Sequence, residues 1–271
     1  MDYKRFPLGA LWTNGYLFWD SHKRGFFVDP GGEASDVIAF LEEQKIHLEW
    51  ILLTHGHIDH IGGIPMLAPY ASKGVAVATE DEKLLNNPNL NLSQWIGLDF
   101  EGWNASLLLA DSDQIQIGEY TISVIATPGH TPGSICYVVK RHNESLLLSG
   151  DTLFARSVGR TDLPGGDSKI LALSLRKLTV LPDTMAVLPG HGPETTISEV
   201  KLKQLPLSER PRERLFREGA TALSLAELIA ILLRTGSENK DVLGLSGELL
   251  HLFGGLKGIS KASISEILQV K

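Results

Sequence analysis

The chain has 271 residues, 43% of them hydrophobic and 21% charged, which is the balance of a folded globular protein rather than a disordered one. A net charge of −7 and a pI near 5.7 give no electrostatic reason to expect nucleic acid or an anionic membrane as partner. No apolar run approaches the ~18 residues of a membrane helix, the opening MDYKRFPLGALW lacks a signal-peptide core, and Cys136 has no second cysteine to pair with, so a cytoplasmic protein in a reducing compartment is expected.

In chain order, residues 1–205 alternate short apolar runs with turn residues. GYLFW (15–19), GFFVDPGG (25–32), WILLTH (50–55), GVAVAT (74–79), YTISVIATPGH (120–130), SICYVV (134–139), SLLLSGD (145–151) and MAVLPGHG (185–192) each read as a strand closed by Gly, Pro, Asp or His. Between them, apolar positions Val37, Ile38 and Leu41 predict a helix over Ala34–Gln44, and helices are predicted for Ile61–Tyr70 and Ser168–Leu178. Thr79-Glu80-Asp81-Glu82 has the form of a capping box opening a short helix. Residues 86–105 lack periodicity and read as a long surface loop. Strands and helices mixed in this order predict a layered α/β domain over residues 1–205.

The character changes after KQLPLSERP (Lys203–Pro211). A linker is expected at 204–211 and a small all-α module at 212–271, with capping boxes at Ser224–Glu227 and Ser263–Glu266 and a C-cap glycine at Gly236. The run AELIAILL is apolar on more than one side, so either neighbouring helices or a second chain, in a homodimer through this module, must cover it. Residues 208–271 carry nine Lys and Arg against eight Asp and Glu, a poor footprint for nucleic acid.

The chemistry lies in the turns. The apolar WILL is followed at once by THGHIDH, with His55, His57, Asp59 and His60 in the spacing H-x-H-x-D-H. His130 follows VIATPG, Asp151 follows LLLSG, and His191 follows AVLPG. A lone histidine at a strand end is ordinarily a hydrogen-bonded or surface residue. Seven nitrogen and oxygen ligands at four strand ends suit two adjacent cations sharing a carboxylate, and favour zinc, with iron or manganese as the alternatives, over a thiolate-bound metal. Two such cations turn a bound water into a hydroxide near neutral pH.

The motifs THGHIDHIGG, TPGHTPGS, SGDTLF and LPGHGP, in this order, resemble the metallo-β-lactamase-fold hydrolase superfamily over residues 1–205. The resemblance implies an αββα sandwich with two metals in a cleft at the sheet edges. It implies that His55, His57 and His130 hold one metal, that Asp59, His60 and His191 hold the other, and that Asp151 bridges them, so that Asp59 and Asp151 are the candidate catalytic carboxylates. GDTLFARSVGRTDLPGGD (150–167) is similar to the glyoxalase II-like branch, the hydroxyacylglutathione hydrolases, and the bridging Asp151 sets it apart from true β-lactamases. A small-molecule thioester or ester is then the expected substrate, although residues 206–271 do not resemble the glutathione-holding helical domain of the long glyoxalase II enzymes. The segment 209–268 instead resembles the N-terminal helical region of RadC-type proteins.

Other readings stay open at this point. A persulfide dioxygenase-like enzyme would use one iron on His55, His130 and Asp151. A lactonase would use the loop 86–105 as an acyl pocket lined by Leu90, Leu92, Trp95 and Ile96, against the plainer reading of those four as a hydrophobic cap. Ribonuclease Z-like processing sits badly with the acidic first domain. Arg160 and Asp162 in GRTD read either as a pair that orients ligands or as an ion pair that fixes a loop, with structural support favoured.

Overall fold

The apolar runs of the first domain become two six-stranded sheets in a computed structural model that describes residues 1–155, 157–202, 215, 219, 223–233, 242–263, 266–267 and 270. The first sheet holds β1 (Tyr3–Leu8), β2 (Thr13–Trp19), β3 (Arg24–Val28), β4 (His47–Leu52), β5 (Gly74–Ala78) and β6 (Leu107–Leu109) in that spatial order, antiparallel through β3 and parallel from β3 to β6. The second holds β7 (Gln114–Ile117), β8 (Tyr120–Ala126), β9 (Ile135–Arg141), β10 (Glu144–Gly150), β11 (Ala186–Pro189) and β12 (Thr195–Thr196), again as sequential neighbours. Only β10 and β11 are parallel there. Strands β8, β10 and β11 therefore end at the same edge of that sheet.

The period-2 alternation of each strand decides which face joins which layer. On β2, Tyr16 and Phe18 point between the sheets, where they meet Phe26 of the first sheet and Tyr120, Tyr137 and Leu148 of the second. Leu17 faces the other way, with Phe27, onto α1 (Ser35–Gln44), α2 (Ile58–Ile61) and α3 (Ile64–Leu67) through Val37, Leu41, Ile61, Ile64 and Leu67. The outer face of the second sheet buries Cys136, Leu147 and Val187 under Leu171, Leu175 and Leu178 of α5 (Ser168–Leu178). Helix, sheet, sheet, helix is the layering that the family resemblance implies. Each buried leucine contributes about 1.5–3 kcal/mol to holding the layers together. Helix α5 starts where Asp167 accepts hydrogen bonds from the Lys169 and Ile170 amides at 2.8 and 3.0 Å.

Three details depart from the sequence reading. The helix expected over Ile61–Tyr70 is broken into α2, α3 and a 3₁₀ turn at Ala68–Tyr70. The loop 86–105 contains one helical turn, α4 (Ser93–Ile96). The capping box at Thr79 does not form: the segment is a 3₁₀ helix (Thr79–Asn86) with no side-chain cap, and the Thr79 hydroxyl donates to the Leu109 carbonyl at 3.3 Å. Asp81 is turned inward and fully buried, so the box is sacrificed to a tertiary contact described below.

Asp20 ties the β2–β3 turn. Its buried carboxylate accepts from the His22 and Arg24 amides at 2.8 and 2.9 Å and from Arg24 Nε at 2.9 Å. Burial opposes its ionisation, but the Arg24 amide and guanidinium and the His22 amide outweigh it and hold the pKa below the usual carboxylate range. A group with a depressed folded pKa contributes stability above its unfolded pKa and loses it as pH falls through the folded one. Asp20→Asn is therefore expected to lower stability by about 1–3 kcal/mol at neutral pH. In urea unfolding followed across pH, the gap between variant and parent should shrink below about pH 4; a gap that persists unchanged in acid would show the charge to be irrelevant.

Contacts divide the chain into two units, Met1–Lys201 and Leu202–Lys271. Helix α6 (Ile197–Leu202) runs across the boundary. In the second, α7 (Leu225–Leu233) packs on α8 (Val242–Leu252), followed by α9 (Leu256–Ile259). Both predicted capping boxes form there: the Ser224 amide donates to Glu227 at 2.7 Å and the Ser263 amide to Glu266 at 2.8 Å. Ile229 and Ala230 of α7 are buried, whereas Leu232 is 79% exposed. The expected linker at 204–211 and the C-cap at Gly236 lie outside the described residues. Among the described residues, no helix is long and apolar enough to cross a membrane.

Candidate metal centre

The four ligand-bearing turns follow β4, β8, β10 and β11, and cross-sheet hydrogen bonds bring their edges together. Asn14 at the start of β2 donates from Nδ2 to the carbonyls of Pro189 and Gly192, both at 2.9 Å, and its amide donates to the Gly190 carbonyl at 2.7 Å. The Tyr16 hydroxyl donates to the Pro189 carbonyl at 3.0 Å, and the Tyr137 hydroxyl to the Leu53 carbonyl at 2.8 Å. The His191 turn is thereby clamped onto the first sheet, and the 55–60 loop onto the second. Close approach demands glycine at one point: a Cβ at Gly190 would sit 2.6 Å from Asp151 Oδ1 and 2.7 Å from the His60 ring.

All seven sequence-predicted residues come together. Their ligand atoms form three groups, each within 4.8 Å: His55, His57 and His130; His55, His60 and Asp151; Asp59, His60 and His191. Asp151 stands in the middle. Its Oδ1 is 3.4 Å from His60 Nε2 and 3.6 Å from His191 Nε2, while its Oδ2 is 3.6 Å from His130 Nε2. Asp59 Oδ2 is 3.3 Å from His191 Nε2 and 3.9 Å from His60 Nε2. His57 Nδ1 lies 3.0 Å from His130 Nε2.

Three of the five imidazoles are held from behind, so that their other nitrogens face the cluster. Asp29 Oδ2 lies 2.9 Å from His60 Nδ1, the Thr54 hydroxyl 3.1 Å from His55 Nδ1, and the Arg160 carbonyl 2.8 Å from His130 Nδ1. Asp29 also accepts from the amide and hydroxyl of Thr54 at 2.8 and 2.7 Å. What remains is unsatisfied: Nε2 of His55, His57 and His60 and Oδ1 of Asp151 are buried with no hydrogen-bond partner. Orphaned buried acceptors cost about 1–3 kcal/mol each, and a cation satisfies several at once.

The electrostatics agree with such a guest. Burial, reinforced by the neighbouring imidazoles, holds His55 well below its usual pKa, and burial with His130 pushes His57 down to about 3, so both are neutral nitrogen donors at pH 7. Burial also opposes charge on His60 and His191, but the carboxylates Asp29, Asp151 and Asp59 raise the first, and Asp151 and Asp59 the second. Asp59 and Asp151 stay ionised: burial disfavours their charge, yet His60 and His191 outweigh it. An all-nitrogen-and-oxygen donor set of this size suits a dinuclear site.

Residues 9–191 match the metallo-beta-lactamase superfamily, two thirds of the chain. The chain belongs to the metallo-beta-lactamase superfamily. Among relatives in this superfamily, "Probable metallo-hydrolase YqgX" of Bacillus subtilis is 36% identical over 73% of this chain and 93% of its own length. "Hydroxyacylglutathione hydrolase GloC" of Haemophilus influenzae is 35% identical over 74% of this chain and 95% of its own. Two crystal structures are similar: BLEG-1 B3 metallo-beta-lactamase (38% identity, TM-score 0.71, 77% of this chain and 100% of that one) and TTHA1623 in a di-iron-bound form (31%, 0.65, 74% and 98%). The second unit matches the UPF0758 N-terminal family over residues 202–271.

Several contributors escape a sequence reading. Asp29 closes β3 as the ligands close their strands, a signal within GFFVDPGG that could have marked it. Asn14 and Asp81 carry no such mark. Of the GRTD pair, the Arg160 side chain makes two hydrogen bonds to Asp162, at 2.7 and 2.6 Å, away from the cluster. It is the Arg160 carbonyl that touches His130, so the ion pair acts by fixing the loop. In the loop 86–105, Leu92 packs on the helix-side core as a cap, whereas Trp95 and Ile96 are exposed.

Proposed function

We propose that the chain is a dinuclear metallohydrolase that cleaves thioesters of the hydroxyacylglutathione type, with zinc as the cation and the cytoplasm as its place of work. The observation that carries the reading is Asp151, whose two oxygens face the histidines of both metal groups. His55, His57 and His130 would hold one cation and Asp59, His60 and His191 the other. When bound, the pair supplies a Lewis acid for the substrate carbonyl and a water acidic enough to act as nucleophile at neutral pH. Asp151 and Asp59 are both ionised, so each would offer an anionic oxygen to the cations rather than a proton to the substrate. A thiol leaving group, with pKa near 8.5, departs without a strong general acid, which matches a cluster whose carboxylates are held deprotonated. The likeness to GloC over nearly all of that protein supports the substrate class.

BLEG-1 supports a second reading, β-lactam hydrolysis. His191, grouped with Asp59 and His60, completes a second ligand set and so favours hydrolysis over the one-iron dioxygenase reading. The test is metal stoichiometry alongside three assays: S-lactoylglutathione hydrolysis, oxygen uptake with glutathione persulfide, and cleavage of a chromogenic cephalosporin. Two metals per chain with thioester turnover is the expected result. One iron with oxygen uptake, or a cephalosporin turned over faster than the thioester, would replace it.

A further inference from the structure

Asp81 is fully buried, lies outside the ligand set, and belongs to a helix that supplies no ligand. Its three partners all lie beside ligands of one group. Oδ2 accepts from the Gly56 amide at 3.0 Å, and Gly56 separates His55 from His57. The same oxygen accepts from the Thr131 hydroxyl at 2.7 Å, and Oδ1 from the Gly133 amide at 2.7 Å, in the turn that carries His130. Thr131 and Ser134 close that turn with a further bond of 2.7 Å between their hydroxyls. Contact is direct: a Cβ at Gly133 would lie 2.5 Å from the Asp81 nitrogen. One carboxylate thus pins two loops from opposite sheets, the two that bear His55, His57 and His130.

Asp29 is different. It reaches His60 directly and His55 through Thr54, and so touches both groups. We propose that Asp81 is a positioning residue that sets the metal affinity of the His55, His57 and His130 group selectively, leaving the Asp59, His60 and His191 group to bind on its own. The inference rests on the dinuclear reading and adds that the two sites are separately tuned, so that one can be emptied by a change that contacts neither metal.

The asparagine variant is the sharp probe. Its amide presents one acceptor and one donor where three donors converge, so at least one of Gly56, Thr131 and Gly133 loses its partner. Apo protein titrated with cobalt(II), read by equilibrium dialysis and by visible absorption, resolves the two sites; His57→Ala and His191→Ala mark the spectrum of each. Asp81→Asn should weaken one cobalt about 10–100-fold, with the spectral component that His57→Ala removes, and leave the other within about threefold. If Asp81→Asn fails to fold, Thr131→Val removes a single donor and gives the same reading with a smaller shift. Parent protein binding two cobalts, with either variant losing both equally, losing neither, or losing the His191 component, would overturn the inference alone. Parent protein unable to bind a pair would overturn the dinuclear reading, and this inference with it.

Discussion

Asp151→Ala is expected to lower kcat/KM for thioester hydrolysis by about 10³-fold or more, the equivalent of several kcal/mol of transition-state stabilisation. The magnitude follows from position. No other side chain in the cluster offers an oxygen to each metal group: Oδ1 is directed to His60 and His191, Oδ2 to His130. On the dinuclear reading, removing it would take a ligand from both cations and the negative charge that would hold them close against mutual repulsion. The fold should survive, because the layers are fastened elsewhere by Tyr16, Phe18, Phe26, Tyr120 and Tyr137, and far-UV circular dichroism of the variant should overlay that of the parent. Turnover within tenfold of the parent in a folded Asp151→Ala protein would end the bridging assignment. Asp151→Asn separates charge from shape: it keeps an oxygen ligand while losing the charge, and should fall between the two.

Chelation is the second large effect. Without cations the cluster holds buried nitrogens and an oxygen with nothing to bond. A ligand present at a thousand times its Kd stabilises the native state by about 4 kcal/mol, and in a domain of this size each kcal/mol moves Tm by about 2–4 °C. Exhaustive chelation should therefore lower Tm of the first unit by roughly 8–16 °C, together with loss of turnover, and zinc should restore both. The pH dependence has a definite sign. His55 and His57 are already neutral at pH 7, whereas His60 and His191 carry raised pKa values and must release protons to bind metal. Rebinding should release protons and strengthen as pH rises from about 6 to 8. A calorimetric titration in two buffers of different ionisation enthalpy counts those protons. A Tm indifferent to chelation, or binding that strengthens in acid, would contradict the charge arrangement drawn here.

The layered architecture and the ligand pattern are both legible in the chain as written, because each depends on short-range order. Period-2 alternation in GYLFW and YTISVIA is enough to commit one face of β2 and of β8 to a core, and H-x-H-x-D-H is a local spacing that strand-ending turns seldom need for any other purpose. Ser168–Leu178 forms the helix its pattern predicts, since its apolar stripe and its Asp167 cap lie within one stretch. Strands β1 and β6 are not legible in this way: Lys4 and Arg5 interrupt the first, β6 is three leucines, and each is extended mainly because a neighbour offers it hydrogen bonds.

Thr79–Glu82 shows the limit most clearly. Its local pattern favours a capped helix, but Asp81 finds partners 25, 50 and 52 residues away, and a buried carboxylate with three donors outweighs a cap on an exposed turn. Asn14, reaching across 175 residues to Pro189, is illegible for the same reason. By itself, the order of residues determined which side chains are candidate ligands and which faces seek a core, since both are properties of neighbours along the chain. Only the tertiary structure decided that Asp29, Asp81 and the Arg160 carbonyl hold the ligand-bearing loops in place, because a hydrogen bond is selected by distance in space and the partners concerned meet only after the two sheets have closed.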